Sequence, residues 1–160
     1  GLLLCGRLPK PFMMGGTGSE SENQAMPDFL PDRAEAGTLN VPGFAGLTEG
    51  LKLVSREGPE AIGRREAALA AYTAKELEKL GYEVFHGPHQ LGTLSFRGRE
   101  DCQTLCDRLG GFALRAGLHC APLAHKSAGT LQTGTVRISF GWNSTREEAE
   151  RLMGEIEDIR

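Results

Sequence analysis

The densest group of reactive side chains is the eleven-residue stretch Arg115-Ala116-Gly117-Leu118-His119-Cys120-Ala121-Pro122-Leu123-Ala124-His125. It carries a thiol, two imidazoles and a guanidinium. A nucleophilic cysteine needs its thiolate favoured, and a nearby Arg or protonated His supplies that electrostatically. It also needs exposure, which a loop punctuated by Gly117 and Pro122 provides. Residue types alone leave a second reading open, in which Cys120 is a packed thiol. A metal reading would recruit His119, Cys120 and His125 with His86 and His89, but their spacing matches no standard zinc pattern. None of the other cysteines forms a CxxC pair. Cys102 and Cys106 share a helix face, and with Cys5 they are expected to serve as small buried hydrophobes.

Three further positions could do chemistry. Arg137 lies between Val136 and Ile138, so it faces away from them, as a solvated charge or as a bidentate clamp on a carboxylate. The run Gly15-Gly16-Thr17-Gly18-Ser19 can present backbone N–H groups to a phosphate or simply turn the chain. No Lys-Ser/Thr pair follows it, which excludes a Walker A loop. In Glu35-Ala36-Gly37-Thr38-Leu39-Asn40, Thr38 either offers its hydroxyl to a phosphate or caps the next helix.

The elements that must position these groups fall into three zones. Residues 1–40 are rich in Gly and Pro, with a short apolar strand at Gly1–Cys5 and then a long loop expected to be ordered and functional. Residues 41–81 predict two helices. Phe44, Leu47, Leu51 and Val54 line the first; Ile62, Leu69, Tyr72 and Leu80 line the second, which stops at Gly81. Residues 82–160 alternate strand and helix: paired strands at Tyr82–His86 and Leu91–Phe96, a helix at Asp101–Leu109, and strands at Phe112–Arg115 and Thr135–Phe140. A last helix starts at Ser144 or Thr145 with Glu147 or Glu148 closing a capping box. Its apolar face is Ala149, Leu152, Ile156 and Ile159. Together these make a small α+β domain, a sheet covered by helices.

Composition sets outer limits. The 160 residues are 39% hydrophobic and 24% charged, with net charge −3. That balance lacks the basic surface a nucleic-acid partner calls for. No apolar run approaches the roughly 20 residues that span a bilayer, and the opening residues lack the form of a signal peptide. The expected location is cytoplasmic. Gly1 at the start, leading straight into an apolar run, reads as a cut through a larger fold; a processed or tagged chain is the other reading.

The strings GGTGS, PDFLPDRAEAGTLNVPGFAGL, RAGLHCAPLAHKSAGT and GTVRISFGWNSTREEAERL, in this order over nearly the whole chain, resemble the cysteine desulfurases of the class V aminotransferase family. The likeness is strongest to the group II, selenocysteine-lyase-like branch. It implies an α/β protein of the pyridoxal-phosphate (PLP)-dependent transferase fold type I, working as a homodimer. Residues 1–40 would then be the end of the large PLP domain with its active-site loops, and 41–160 linking helices and the small C-terminal α+β domain. The resemblance makes Cys120 the nucleophile that takes sulfur from PLP-bound L-cysteine as a persulfide, releasing alanine. It gives Arg137 the substrate carboxylate, Arg115 the active-site entrance, and Thr38 the cofactor phosphate of the neighbouring subunit. His119 is read as tuning the nucleophile.

Such enzymes feed sulfur metabolism and iron–sulfur cluster assembly, so a sulfur-acceptor protein is an implied partner. The family's Schiff-base lysine would precede residue 1, since Lys10, Lys52, Lys75, Lys79 and Lys126 occupy no matching context. The 160 residues alone are therefore expected to lack desulfurase activity. Selenocysteine lyase, a class V aminotransferase that leaves Cys120 unused, and a non-enzymatic persulfide carrier remain alternatives.

Overall fold

The structure, a computed structural model, describes residues 2–160. Gly1, which bears the reading of an interrupted chain start, lies outside the described residues. Two compact units are present, the first ending at Arg56 and the second covering Glu57–Arg160.

The first unit is mostly irregular. Leu2, Leu3 and Leu4 are exposed and form no strand, contrary to the expectation from their apolar run. A strand needs a partner for its backbone groups, and no strand occurs among the described residues of this unit. Cys5 is exposed as well, not a buried hydrophobe. The long loop is ordered by Arg33, whose guanidinium donates to the carbonyls of Pro9 and Pro27 at 2.9 and 3.2 Å and pairs with Asp28. Helix α1 covers Val41–Glu57. Its N-cap is Asn40, whose Oδ1 accepts from the Gly43 N–H at 3.0 Å. No α1 residue is buried, and the stripe residue Leu51 is 53% exposed.

In the second unit, Pro59 opens helix α2 (Pro59–Lys79) at a position where a missing N–H costs nothing. Its apolar face packs inward. Leu69, Ala70, Ala74 and Leu77 are buried in this unit's own core. The sheet comprises β1 (Glu83–Phe85), β2 (Thr93–Arg97), β3 (Arg115–Gly117) and β4 (Thr135–Ser139), all pairs antiparallel, in the order β1-β2-β4-β3. Helix α3 (Cys102–Arg108) is capped by Asp101, which accepts from the N–H groups of Gln103 and Thr104. Helix α5 (Arg146–Asp158) begins with the capping box of Thr145 and Glu148. Between β3 and β4 lies a short helix, α4 (Pro122–Ser127).

Strand alternation sends Val84, Leu94, Phe96, Val136 and Ile138 to one face, packed with Leu77, Leu105, Leu109, Leu152 and Ile156 in a single core. Cys102 and Cys106 belong to or border that core. The predicted strand at Phe112–Arg115 is displaced to Arg115–Gly117. Its first residues complete the turn after α3, with the Phe112 N–H bonded to the Leu109 carbonyl at 3.0 Å. Among the described residues no helix is long and apolar enough to cross a membrane.

Candidate active site

Where β3 ends, the chain reverses within four residues. The Leu118 carbonyl accepts from the Ala121 N–H at 2.9 Å, and the two central residues, His119 and Cys120, have φ of 51° and 59°. Two consecutive positive φ values define a turn that normally recruits Asn and Gly. Holding L-residues with a Cβ there costs about 1–2 kcal/mol each. Strain of this kind persists only where surrounding structure over-determines it, and it clusters at functional sites. Cys120 is exposed at the tip.

His119 turns inward. Its Nε2 lies 3.1 Å from the Thr135 hydroxyl, and its Nδ1 is buried without a hydrogen-bond partner. Burial pushes its pKa below the ordinary histidine value, and the charges of Arg137, His125 and Arg115 push the same way against the bond to Thr135. The His125 ring stands 5.6 Å from that of His119. His125 is itself buried, with Nδ1 at 2.7 Å from the Thr130 hydroxyl.

A pH dependence follows. An unfolded histidine takes up its proton near pH 6.5, roughly, before the folded His119 does. The stability contributed by the neutral ring is therefore complete above about 6.5 and is lost as pH falls from there through the folded value. Urea midpoints of this chain should drop between about pH 7 and about pH 5 more steeply than those of His119→Asn. Asn tolerates the positive φ and does not titrate. Equal slopes in the two proteins would remove His119 as the cause.

The sheet face opposite the core carries the charged groups. Arg137 pairs directly with Arg115 of β3 on one side and Ser95 of β2 on the other. Neither arginine has an ion-pair partner among the described residues, and the Arg137 Nε is buried with no acceptor. Like charges directly opposite each other destabilise a sheet. Two unpaired guanidiniums opposite each other on this face offer the kind of donors that suit a carboxylate.

The first unit supplies a separate feature. Gly16, at φ +63°, lies so close to Gly37 that a Cβ on it would meet the Gly37 nitrogen at 2.6 Å, and the Gly37 N–H bonds to the Gly16 carbonyl at 2.9 Å. Gly15, Gly18 and Gly37 also have positive φ. The two motifs therefore meet, and Gly15–Gly18, Gly37 and Thr38 line one open cleft. A cleft lined by glycine backbone at positive φ is of the kind that suits an anion such as a phosphate. Because Asn40 caps α1, Thr38 is spared that duty.

Several contributors were not singled out from the sequence. Thr130 and Thr135 hold the two histidines, and Gly134 backs onto Gly117, with a Gly134 Cβ falling 3.0 Å from the Gly117 Cα. Helix α4 occupies a stretch that its Gly and Pro punctuation marks as loop. His86 and His89 join no metal-binding group: no cluster of three or more His, Cys, Asp or Glu suited to a metal occurs among the described residues.

The aminotransferase class-V family matches residues 4–152. A probable cysteine desulfurase of Xylella fastidiosa (strain 9a5c) is 37% identical over 158 residues, covering 94% of this chain and 37% of that protein. One from Methanothermobacter thermautotrophicus is 31% identical, over 94% of this chain and 40% of that protein. Among solved structures, the apo cysteine desulfurase of Thermococcus onnurineus NA1 superposes with a TM-score of 0.79 at 29% identity, over 94% of this chain and 39% of that one. A cysteine desulfurase of Escherichia coli gives 0.77 at 27% identity, over 93% and 38%. The chain thus spans about two fifths of the length of the relatives it matches. The fold, a helix-covered antiparallel sheet in an α/β protein, is that of PLP-dependent cysteine desulfurases, and the chain belongs to the class V aminotransferase family.

Proposed function

We propose that this chain is the part of a PLP-dependent cysteine desulfurase that delivers the sulfur-accepting thiol. The observation that carries the reading is Cys120, exposed at the tip of a strained turn that leaves the strand bearing Arg115. Residues 1–40 would contribute loops of the cofactor domain, and 41–160 the linking helices and the small domain.

The cleft where Gly16 and Gly37 approach too closely for a Cβ on Gly16, which Thr38 also lines, fits the cofactor's phosphate. In the homodimer we propose, Thr38 serves the neighbouring subunit. No lysine lines that cleft, so the covalent lysine is assigned to the length of the relatives that this chain does not span. PLP, when bound, supplies the electron sink that weakens bonds around the substrate's α and β carbons.

This chain's residues supply the rest. Arg137, with Arg115 opposite, holds the L-cysteine carboxylate by charge-assisted hydrogen bonds. That contact orients the substrate sulfur toward Cys120. The Cys120 thiolate attacks the sulfur, forming an S–S bond as the Cβ–S bond breaks with its electron pair left on carbon. A proton delivered to that carbon completes alanine, and the persulfide stays on Cys120 for an acceptor protein. His119, bonded to Thr135 and with no bond to the thiol, acts through the shape of the turn.

The test uses the complete polypeptide with PLP, L-cysteine and a thiol reductant that releases the outer persulfide sulfur as sulfide. Alanine and sulfide should form in the wild type and fall by about a thousandfold or more in Cys120→Ser, a loss of the size that follows removal of a covalent nucleophile. Turnover that persists in the mutant would assign the scaffold to an aminotransferase or lyase that leaves Cys120 unused.

A further inference from the structure

Helix α4 follows the Cys120 turn immediately, and its attachment to the rest of the unit is unusual. Of its six residues only His125 is buried; Leu123 is 77% exposed. A surface helix normally docks through an apolar stripe. This one docks through a single imidazole, over a small cavity that Phe85, Ser95 and Thr135 of the sheet also line.

The anchor for that imidazole is Thr130, itself 1% exposed. Thr130 closes α4 as well: Gly129, at φ +69°, ends the helix, and the Thr130 N–H returns to the His125 carbonyl at 2.8 Å. Its hydroxyl meets the His125 Nδ1 at 2.7 Å. One residue thus holds both the backbone and the side chain of His125. The His125 ring in turn stands beside His119, whose far nitrogen is fixed by Thr135. At the other end of the turn, Gly117 is backed by Gly134, whose N–H bonds to the Thr130 carbonyl at 2.8 Å.

We infer that His125 and Thr130 are positioning residues for sulfur transfer: together they clamp α4 to the sheet and hold the His119–Cys120 turn in its strained form, which presents the thiol. An apolar residue at 125 would bury as well but could not fix a direction, whereas a hydrogen-bonded imidazole does. The inference rests on Cys120 being the nucleophile. The clamp itself is defined by structure alone.

Thr130→Val keeps the side-chain shape and removes the hydroxyl, and Thr130→Ser restores it. In the valine variant of this chain, the Ala121 amide, which closes the turn, should exchange with deuterium roughly tenfold faster or more, while amides of β2 and β4 keep their wild-type rates. The His119 titration followed by NMR should move up toward the ordinary histidine value as its ring gains solvent. Arg137 on β4, Arg115 on β3 and His125 on α4 are the charged or titratable groups that face it. The serine variant should return both readings to wild type. Unchanged Ala121 exchange and an unchanged His119 midpoint would overturn the inference.

Should the valine variant lose protection in β2 and β4 as well, the wild type decides. At a pH where the rings are neutral, ring nitrogen shifts must show His125 in one tautomer, and a mixture of two would overturn the clamp. In the complete enzyme with PLP, Thr130→Val should lower kcat for sulfur release and leave KM for L-cysteine unchanged, because Arg137 and Arg115 are untouched. Sulfur release that survives Cys120→Ser would sink the nucleophile assignment, and the exchange and titration results would still decide the clamp.

Discussion

Cys120→Gly should leave the chain more stable than the wild type and, in the complete enzyme, bring sulfur release to background. The two effects share one cause. At φ 59° a residue with a Cβ carries a penalty of about 1–2 kcal/mol. Glycine carries none there, although its freer unfolded chain takes back roughly 0.5–1 kcal/mol. The net gain should be about 0.5–1 kcal/mol, read as a higher urea midpoint at unchanged m-value. Cys120→Ala is the necessary companion, because it removes the thiol and keeps the Cβ. It should lose sulfur release equally and gain no stability. A glycine variant no more stable than the alanine variant would mean that the turn holds no strain. A stability gain tied to loss of the thiol would show that the chain gives up stability for the sake of the reactive group, the usual relation at a functional site.

What could be read in the sequence was whatever is written locally. Helix α5 carries its start in Thr145 and Glu148 and its buried face in Ala149, Leu152 and Ile156, so the whole helix follows from one stretch. Strands β2 and β4 show their alternation directly, and the strings around Thr38 and Cys120 are specific enough to name a family. What was illegible depends on distant partners. Phe112 reads as strand, yet the turn after α3 takes its N–H. The apolar run through Leu2–Leu4 reads as strand, but no strand among the described residues of its unit offers a partner. Helix α4 has no apolar periodicity, because a histidine docks it. The positive φ at His119 and Cys120 is invisible because neither residue is Gly or Asn, the usual markers of such a turn. Local rules fail there for the reason they exist: a functional site overrides the cheapest local choice.

The second large effect is expected at Gly134, a residue without any chemistry of its own. Gly134→Ala meets two separate obstacles. Its φ of +64° is strained for alanine, and the new Cβ would lie 3.0 Å from the Gly117 Cα and 3.1 Å from its carbonyl carbon and oxygen. Those neighbours are backbone of the strand that leads into the Cys120 turn, so they can yield only by moving the turn. Gly129→Ala meets the first obstacle alone: its φ is +69° and nothing lies within 4 Å of the added carbon. Left-handed strain of about 1–2 kcal/mol applies to both, less the entropy gained by removing a glycine. Overpacking against rigid backbone adds roughly 1–3 kcal/mol for Gly134 only. Urea unfolding should therefore show a loss of about 1 kcal/mol for Gly129→Ala and about 3 kcal/mol for Gly134→Ala. In the complete enzyme only the Gly134 variant should also lose sulfur release beyond its loss of folded protein, because its clash displaces the strand end that aims Cys120. Equal losses at the two sites would mean that Gly117 gives way freely, and that the placement of the thiol does not depend on this contact.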